Sequence, residues 1–150
     1  QRHVEGEKVF LANYSDGLTD LPLPSQLAAF EKSGAIASFL SVKPTLSYRF
    51  VKAVPSGMVQ SFTDITQAGL RVNGGYFVFR NEIFDYMQDG EELVEQPFLR
   101  LVERKKLTAY NYDGFWVPMD TAKDKQRLDE LHAGGSPPWF VWQQAPPPRR

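Results

Sequence analysis

Short apolar runs separated by turn residues dominate the hydrophobic pattern of this chain. Val9–Asn13, residues 35–42 and Leu107–Tyr112 each predict a strand. The first is expected to be a buried parallel strand, because it is short, apolar and bounded by polar residues. A fourth run, residues 72–79, contains two glycines near its start, which predicts a bulge or a close approach of the backbone to another group.

Helical periodicity appears between these runs. Ser25 is the predicted N-cap of a first helix that ends at Gly34, and residues 80–86 predict a short helix. A helix over residues 95–105 has a predicted apolar face, and its members are Phe98, Leu99, Leu101 and Val102. Residues 121–132 predict a charged amphipathic helix that buries Leu128 and Leu131.

Polar and apolar residues alternate over 48–54 and return over 58–65 after a Pro-Ser-Gly turn. This pattern predicts an antiparallel hairpin, expected at the edge of a parallel sheet. Strands and helices otherwise alternate, so residues 1–142 are predicted to form one α/β unit with a mixed sheet flanked by helices. The Pro- and Arg-rich tail, residues 143–150, is predicted to be disordered.

Composition narrows the range of functions. The 150 residues carry a net charge of −1, which gives no electrostatic basis for binding nucleic acid or an anionic membrane surface. Cysteine is absent, so disulfides and thiolate metal sites are excluded, and a reducing, cytoplasmic location is expected. No apolar run approaches the ~18 residues of a membrane span. Because no initiator methionine is present, the chain is expected to begin partway into a longer protein.

Two apolar runs end in an aspartate, Asp16 and Asp120. Two carboxylates that reach one sheet edge from separate strands could hold Mg²⁺, which favours one or two carboxylates together with substrate phosphates. Alternatively, Asp16 forms a turn and Asp120 is the N-cap of the helix that follows it. The residue pattern by itself favours this second interpretation.

The segment that contains Asn73 and Gly74 offers an amide and an accessible backbone to sugar hydroxyls, although a simple β-bulge also accounts for it. His3 and His132 lie in polar segments and are expected to be solvated. The tryptophans are expected to be core or docking residues, because no basic patch accompanies them.

Together, several motifs resemble those of the glucose-1-phosphate cytidylyltransferases, a branch of the sugar-phosphate nucleotidyltransferases. The matching segments are Tyr14-Ser15-Asp16-Gly17-Leu18, Val72-Asn73-Gly74-Gly75-Tyr76-Phe77-Val78, Glu95-Gln96-Pro97-Phe98, Gly114-Phe115-Trp116-Val117-Pro118-Met119-Asp120-Thr121 with Lys123-Asp124-Lys125, and Pro138-Trp139 with Trp142. Their order and spacing hold from about residue 8 to residue 142.

The resemblance implies a Rossmann-like, glycosyltransferase-A-like fold that is incomplete at the N-terminus. It also implies Mg²⁺-dependent transfer of a cytidylyl group from CTP to glucose 1-phosphate in nucleotide-sugar biosynthesis, such as that of O-antigen. Asp16 and Asp120 match metal-binding, catalytic residues, and Asn73 and Gly74 match the sugar site. The remaining residues implied to bind substrate are Tyr14, Gly17, Asp64 and Trp116.

Three departures from the family pattern qualify this implication. The nucleotide-binding Gly-rich loop would precede the region resembled here, so residues 1–150 alone are expected to show little or no turnover. Asp64-Ile65-Thr66 stands where the family has Glu-Lys-Pro, and Ser15 replaces a glycine. Two alternatives therefore stay open: a catalytically silent subunit that binds sugar phosphate or another protein, and an enzyme of this fold that uses another nucleotide. Self-association is also left open.

Overall fold

The structure is a computed structural model that describes residues 2–45 and 48–142; the predicted tail, residues 143–150, lies outside the described residues. In chain order the strands and helices are Val9–Asn13 (β1), Gly17–Thr19 (β2), Leu23–Ser33 (α1), Ala37–Val42 (β3), Arg49–Ala53 (β4), Val59–Asp64 (β5), Val72–Arg80 (β6), Gln96–Glu103 (α2), Leu107–Tyr112 (β7), Trp116–Pro118 (β8) and Ala122–Ala133 (α3). Short 3₁₀ helices lie at Arg2–Val4, Ile65–Gln67 and Asn81–Tyr86.

A mixed four-stranded sheet, in the order β1-β6-β3-β7, forms the centre of the fold. β6 pairs antiparallel with both β1 and β3, and β3 pairs parallel with β7. The bounds predicted for β1 and β7 are confirmed, but β1 is neither parallel nor fully buried. It is a partly exposed edge strand, in which Leu11 is 49% exposed. The apolar run therefore predicts a strand, but it does not predict which strand is its neighbour or in which direction they pair.

The predicted bulge is present in β6. Phe77 pairs with Phe39, and Asn73 pairs with Ser41. Between these two pairs β6 advances by four residues while β3 advances by two, so β6 carries the extra residues of a bulge. Gly75, within this stretch, has a φ of +73°. That left-handed conformation is easy for glycine and strained for other residues, so it explains one of the two glycines.

Both faces of the sheet are covered by helices. On one face Phe77 and Phe79 of β6 pack against Phe98 and Leu101 of α2. On the other face Val78, which points the opposite way, packs against Phe30 of α1. The predicted mixed sheet flanked by helices is confirmed.

The first helix begins earlier than predicted. Its N-cap is Pro22, and Ser25 lies inside the first turn, where its backbone N–H donates to the Pro22 carbonyl at 2.8 Å. Pro24 explains the difference, because proline is well suited to the first turn of a helix, where its missing N–H is not needed. The predicted end is confirmed, since Gly34 adopts the left-handed conformation with φ +64°.

The apolar face of α2 is narrower than predicted. Phe98 and Leu101 are buried, but Leu99 and Val102 are 64% and 57% exposed. In a helix of eight residues against one sheet, only the positions that point directly at the sheet become buried.

Thr121 and Asp124 form a capping box at the start of α3. Asp120 is therefore not the N-cap, and that interpretation of it is wrong. Along α3, Leu128 is buried and Leu131 is half-buried. Within the described residues, no helix is both long enough and apolar enough to cross a bilayer.

β4 and β5 form the predicted antiparallel hairpin, but as a separate two-stranded sheet and not at an edge of the four-stranded one. Its apolar side chains stay exposed, Phe62 at 65% and Val51 at 55%. The Arg49 guanidinium lies over the Phe62 ring at 5.6 Å.

Phe79 and Phe62 offer a matched test of where the core lies. Phe79 is 0% exposed and packs against other rings, whereas Phe62 is 65% exposed. We expect Phe79→Ala to lower the free energy of unfolding by about 3–5 kcal/mol, through lost burial and a cavity. Phe62→Ala should change it by less than about 0.5 kcal/mol. Urea denaturation measures both, and equal losses would contradict this assignment of the core.

Candidate functional site

A short antiparallel ribbon of β2 and β8 holds the two candidate aspartates. Gly17 pairs with Pro118 and Thr19 with Trp116. Beyond Pro118 the Met119 N–H donates to the Asp16 carbonyl at 2.9 Å. Asp16 therefore precedes one strand and Asp120 follows the other, at the same end of the ribbon. The sequence correctly suggested that they lie together, but antiparallel pairing, and not the shared carboxyl ends of parallel strands, brings them there.

At this end of the ribbon lies a cleft of about 320 Å³. Seven of the eight predicted site residues line it, together with Pro118: Tyr14, Asp16, Gly17, Asn73, Gly74, Trp116 and Asp120. The cleft thus combines residues from the β1–β2 turn, the β6 bulge and the end of β8.

Asp64, the eighth predicted residue, does not line the cleft. It ends β5 and caps the 3₁₀ helix that follows, where its carboxylate accepts hydrogen bonds from the N–H and the hydroxyl of Thr66 at 2.9 and 2.6 Å. These bonds lower the pKa of Asp64. The structure therefore gives this carboxylate a local capping role.

Backbone carbonyls of the cleft are held by aromatic side chains. The Trp116 indole N–H donates to the Gly74 carbonyl at 2.8 Å, and the Tyr76 hydroxyl donates to the Gly17 carbonyl at 2.7 Å. These bonds tie the ribbon to β6. Because the Trp116 N–H is already used, Trp116 can offer a ligand only the face or edge of its ring.

The β6 bulge shapes the opposite wall. The Asn73 side-chain oxygen accepts from the Gly75 N–H at 2.9 Å, and the Tyr14 N–H donates to the Gly75 carbonyl at 2.8 Å. A Cβ on Gly75 would lie 2.5 Å from the Tyr14 ring, so only glycine fits. Partial burial, with the negative charges of Glu92 and Asp16, raises the pKa of Tyr14, and the Asn73 side chain opposes this effect.

The two cleft carboxylates have chemistry that suits a hard cation. Both aspartates are exposed, and neither side chain has a hydrogen-bond or ion-pair partner among residues 2–45 and 48–142. Among the described residues, no Lys or Arg lines the cleft. In the same part of the chain, no three or more acidic or histidine side chains are placed so that they could hold one metal ion. A cation in the cleft would therefore have few protein ligands. Mg²⁺ commonly binds in this way, through one or two carboxylates completed by water and phosphate oxygens.

At the other end of the ribbon, one carboxylate joins β2 to β7 and β8. The Asp20 Oδ1 accepts hydrogen bonds from the Tyr112 hydroxyl and from the Phe115 N–H, the latter at 2.8 Å. The Thr19 hydroxyl donates to the Phe115 carbonyl at 2.7 Å. We call Asp20, Tyr112 and Phe115 the ribbon clamp. Sequence reasoning missed it, because these residues lie up to 95 positions apart.

A second, partly exposed hydrogen-bond network holds the neighbouring strand ends. The Arg71 guanidinium donates to the Ser41 carbonyl, the Tyr112 carbonyl and the Asp113 carboxylate, at 2.7, 2.6 and 3.0 Å. Hydrogen bonds from Arg71 and Lys43 hold the pKa of Asp113 below its usual range. Arg71 therefore fixes the ends of β3 and β7, and its donors are committed to that role.

Comparison with known proteins finds relatives that match almost the whole of this chain. No protein-family model matches it. It is 30% identical over 143 residues to the glucose-1-phosphate cytidylyltransferase of Salmonella typhi, covering 94% of this chain and 55% of that protein. It is also 30% identical to a probable glucose-1-phosphate cytidylyltransferase of Bacillus subtilis, over 139 residues, 91% of this chain and 54% of that protein. The predicted resemblance to glucose-1-phosphate cytidylyltransferases is confirmed. The chain spans about half the length of the curated relatives it matches.

Solved structures support the fold. A Bacillus anthracis protein, described as a candidate glucose-1-phosphate thymidylyltransferase in complex with sucrose, aligns with a TM-score of 0.58 and 15% identity over 84% of this chain and 55% of that one. HddC from Yersinia pseudotuberculosis aligns with a TM-score of 0.57 and 16% identity, over 85% of this chain and 56% of that one. The chain therefore shares the α/β fold of these two proteins.

Gly75 and Gly57 separate the effect of the cleft contact from that of backbone strain. Both have positive φ, +73° and +86°, but a Cβ on Gly57 meets nothing within 4 Å. We expect Gly57→Ala to cost about 1–2 kcal/mol of stability from strain alone. Gly75→Ala should cost more, because its methyl group also collides with Tyr14. Urea denaturation measures both, and similar losses would contradict the tight Tyr14 contact.

The environment of the Tyr112 hydroxyl leads us to expect that the fold loses stability at alkaline pH. Burial, then the hydrogen bond and negative charge of Asp20, raise the pKa of Tyr112 well above its ordinary value of about 10. The protonated hydroxyl therefore stabilises the fold fully below pH ~10, and this stabilisation is lost as the pH rises from there toward the folded-state pKa.

We expect Tyr112→Phe to lower stability at neutral pH and to make the decline above pH ~10 shallower, as measured by urea denaturation across pH. Tyr48→Phe, at a side chain that is 66% exposed, is the control and should follow the wild type. An unchanged alkaline slope in Tyr112→Phe would refute the role of this hydroxyl.

Proposed function

We propose that the protein containing this chain is a sugar-1-phosphate nucleotidyltransferase, with CTP and glucose 1-phosphate as the leading substrates. In this reaction a phosphate oxygen of the sugar phosphate attacks the α-phosphate of CTP, giving CDP-glucose and releasing pyrophosphate. The observation that carries the proposal is a pair of carboxylates, Asp16 and Asp120, that have no partner among the described residues and lie beside Asn73 and Gly74 in one cleft. The names of the curated relatives supply the reaction class.

Each part of the cleft has a distinct proposed role. Asp16 and Asp120 would hold Mg²⁺, which when bound neutralises charge that builds up on the reacting phosphates. The backbone of Gly74 and Gly17 lines the cleft, and the Asn73 amide would face sugar hydroxyls. Trp116 gives the sugar an apolar wall. The chain would therefore contribute mainly by positioning the substrates and the Mg²⁺ ion.

Within the described part of the chain, the cleft does not supply cationic side chains for a triphosphate. Two carboxylates would repel CTP unless cations offset them, and no Lys or Arg among residues 2–45 and 48–142 lines the cleft. Mg²⁺ would meet part of this need. We propose that a Gly-rich loop outside residues 1–150, as the resemblance implies, provides the remaining phosphate contacts through backbone N–H groups and cationic side chains.

A second candidate function is a catalytically silent module that binds sugar phosphate. Ile65 stands where the family has a lysine, and Asp64 beside it is engaged with Thr66. A bound phosphate would therefore lack the contact with this lysine. Pyrophosphate release separates the two functions, because a silent module would bind glucose 1-phosphate in calorimetry yet release no pyrophosphate with any nucleoside triphosphate.

Substitution of the two aspartates tests the enzyme proposal in the full-length gene product. We expect Asp16→Asn and Asp120→Asn each to lower kcat by about two to three orders of magnitude, since each removes a charged ligand from the proposed Mg²⁺ site. Pyrophosphate release with four nucleoside triphosphates and several sugar phosphates is the assay, and CTP with glucose 1-phosphate should be the best pair.

Asp129→Asn is the matched control for these substitutions. Asp129 is an exposed carboxylate on α3 that forms an ion pair with Lys125, one turn away. This variant should keep wild-type activity. Near-normal turnover in Asp16→Asn or Asp120→Asn would remove that residue from the proposed metal site, and a preference for another nucleotide would replace CTP in the proposal.

A further inference from the structure

We propose that Asp20 is a positioning residue: through the ribbon clamp it fixes the β2–β8 ribbon and so sets the affinity of Asp16 and Asp120 for a divalent cation. The inference rests on the proposed function, because it takes these two aspartates as the cation ligands. Asp20 itself does not line the cleft, so its effect is transmitted through the ribbon.

The ribbon needs a clamp because its own pairing is weak. Each strand has three residues, and one of the three in β8 is Pro118, which has no N–H to donate. If β2 slipped by one residue against β8, Asp16 would move by about 3.3 Å relative to Asp120. The Asp16 side chain would also turn to the other face of the ribbon. Contacts beyond the strands must therefore hold the register.

Asp20 supplies these contacts at the end opposite the cleft. Its Oδ1 accepts from the Phe115 N–H, and the Phe115 carbonyl accepts from both the Asp20 N–H and the Thr19 hydroxyl. Both polar backbone groups of Phe115, the residue before β8, are thus bound by residues 19 and 20. This arrangement sets which residue of β2 lies opposite which residue of β8.

Tyr112 connects the clamp to the central sheet. It is the last residue of β7, and its hydroxyl donates to the same Asp20 oxygen that binds Phe115. Its side chain folds back over the following turn, where a Cβ on Gly114 would lie 2.2 Å from the hydroxyl oxygen. Gly114 is therefore required for Tyr112 to reach Asp20, which gives this glycine of the Gly-Phe-Trp segment a physical role.

The test measures Mn²⁺ binding to the full-length gene product by electron paramagnetic resonance, with Mn²⁺ alone and with CTP added. We expect Asp20→Ala and Tyr112→Phe to weaken Mn²⁺ binding by about tenfold or more, the usual effect of removing a group that orients a metal ligand. Asp20→Asn keeps an oxygen that accepts both hydrogen bonds, so it should bind Mn²⁺ close to the wild-type level. Circular dichroism checks that each variant is folded.

Glu91→Ala is the matched control for a general loss of stability. Glu91 forms a partly buried ion pair with Arg100 of α2 and takes no part in the ribbon. This variant should be less stable than the wild type yet keep its Mn²⁺ affinity. If Glu91→Ala weakens Mn²⁺ binding as much as Asp20→Ala, the effect is one of stability and the positioning role is refuted.

The remaining outcomes separate this inference from the proposed function. If the wild-type protein binds no Mn²⁺ under either condition, the proposed metal site fails. If the wild type binds Mn²⁺ and Asp20→Ala and Tyr112→Phe bind it equally well, the positioning role alone fails. If Asp20→Asn is as weak as Asp20→Ala, the charge of Asp20 and not its hydrogen bonds is responsible, which also overturns the inference.

Discussion

The pairing of β2 with β8 is the constraint on which the cleft depends. It joins segments about a hundred positions apart in the chain, and the entropy lost in closing so long a loop must be offset by contacts at the ribbon. Three residue pairs offer few backbone hydrogen bonds, so Asp20 at one end and Trp116 along the strand add side-chain bonds to β7 and β6. The cleft is therefore held partly by the ribbon clamp, which lies outside it, and partly by the bond between Trp116 and Gly74 in its own wall.

β6 couples this cleft to the hydrophobic core. Over Phe77–Phe79 its side chains pack between helices on both faces of the sheet, whereas at Asn73 and Gly75 the same strand bulges and forms a wall of the cleft. The polar groups that build this wall are mostly hydrogen-bonded to one another, whereas the Asp16 and Asp120 carboxylates have no such bonds to the residues that the structure describes. The groups without partners are the ones available to a ligand, which is why the proposed chemistry centres on them.

Much of this arrangement could be predicted from the sequence, because local features report local structure. The apolar runs predicted β1 and β7 with their observed bounds, and Gly34 marked the end of α1. The glycines after Asn73 predicted the bulge. The family motifs, rather than periodicity, identified seven of the residues that line the cleft, since such motifs combine residues that no local pattern connects.

Tertiary structure decided what local patterns cannot report, namely which segments become neighbours. A hydrophobic run shows that a strand is at least partly buried but not its partner, so β1 proved to be an antiparallel edge strand. The family motif predicted Asp64 as a site residue, yet at the end of β5 in a separate hairpin its side chain instead caps the following 3₁₀ helix. No local sequence pattern predicted the ribbon clamp, because its hydrogen bonds join residues more than ninety positions apart. The sequence by itself determined the elements and the candidate carboxylates; long-range pairing, which depends on the folded chain as a whole, determined how those carboxylates are placed.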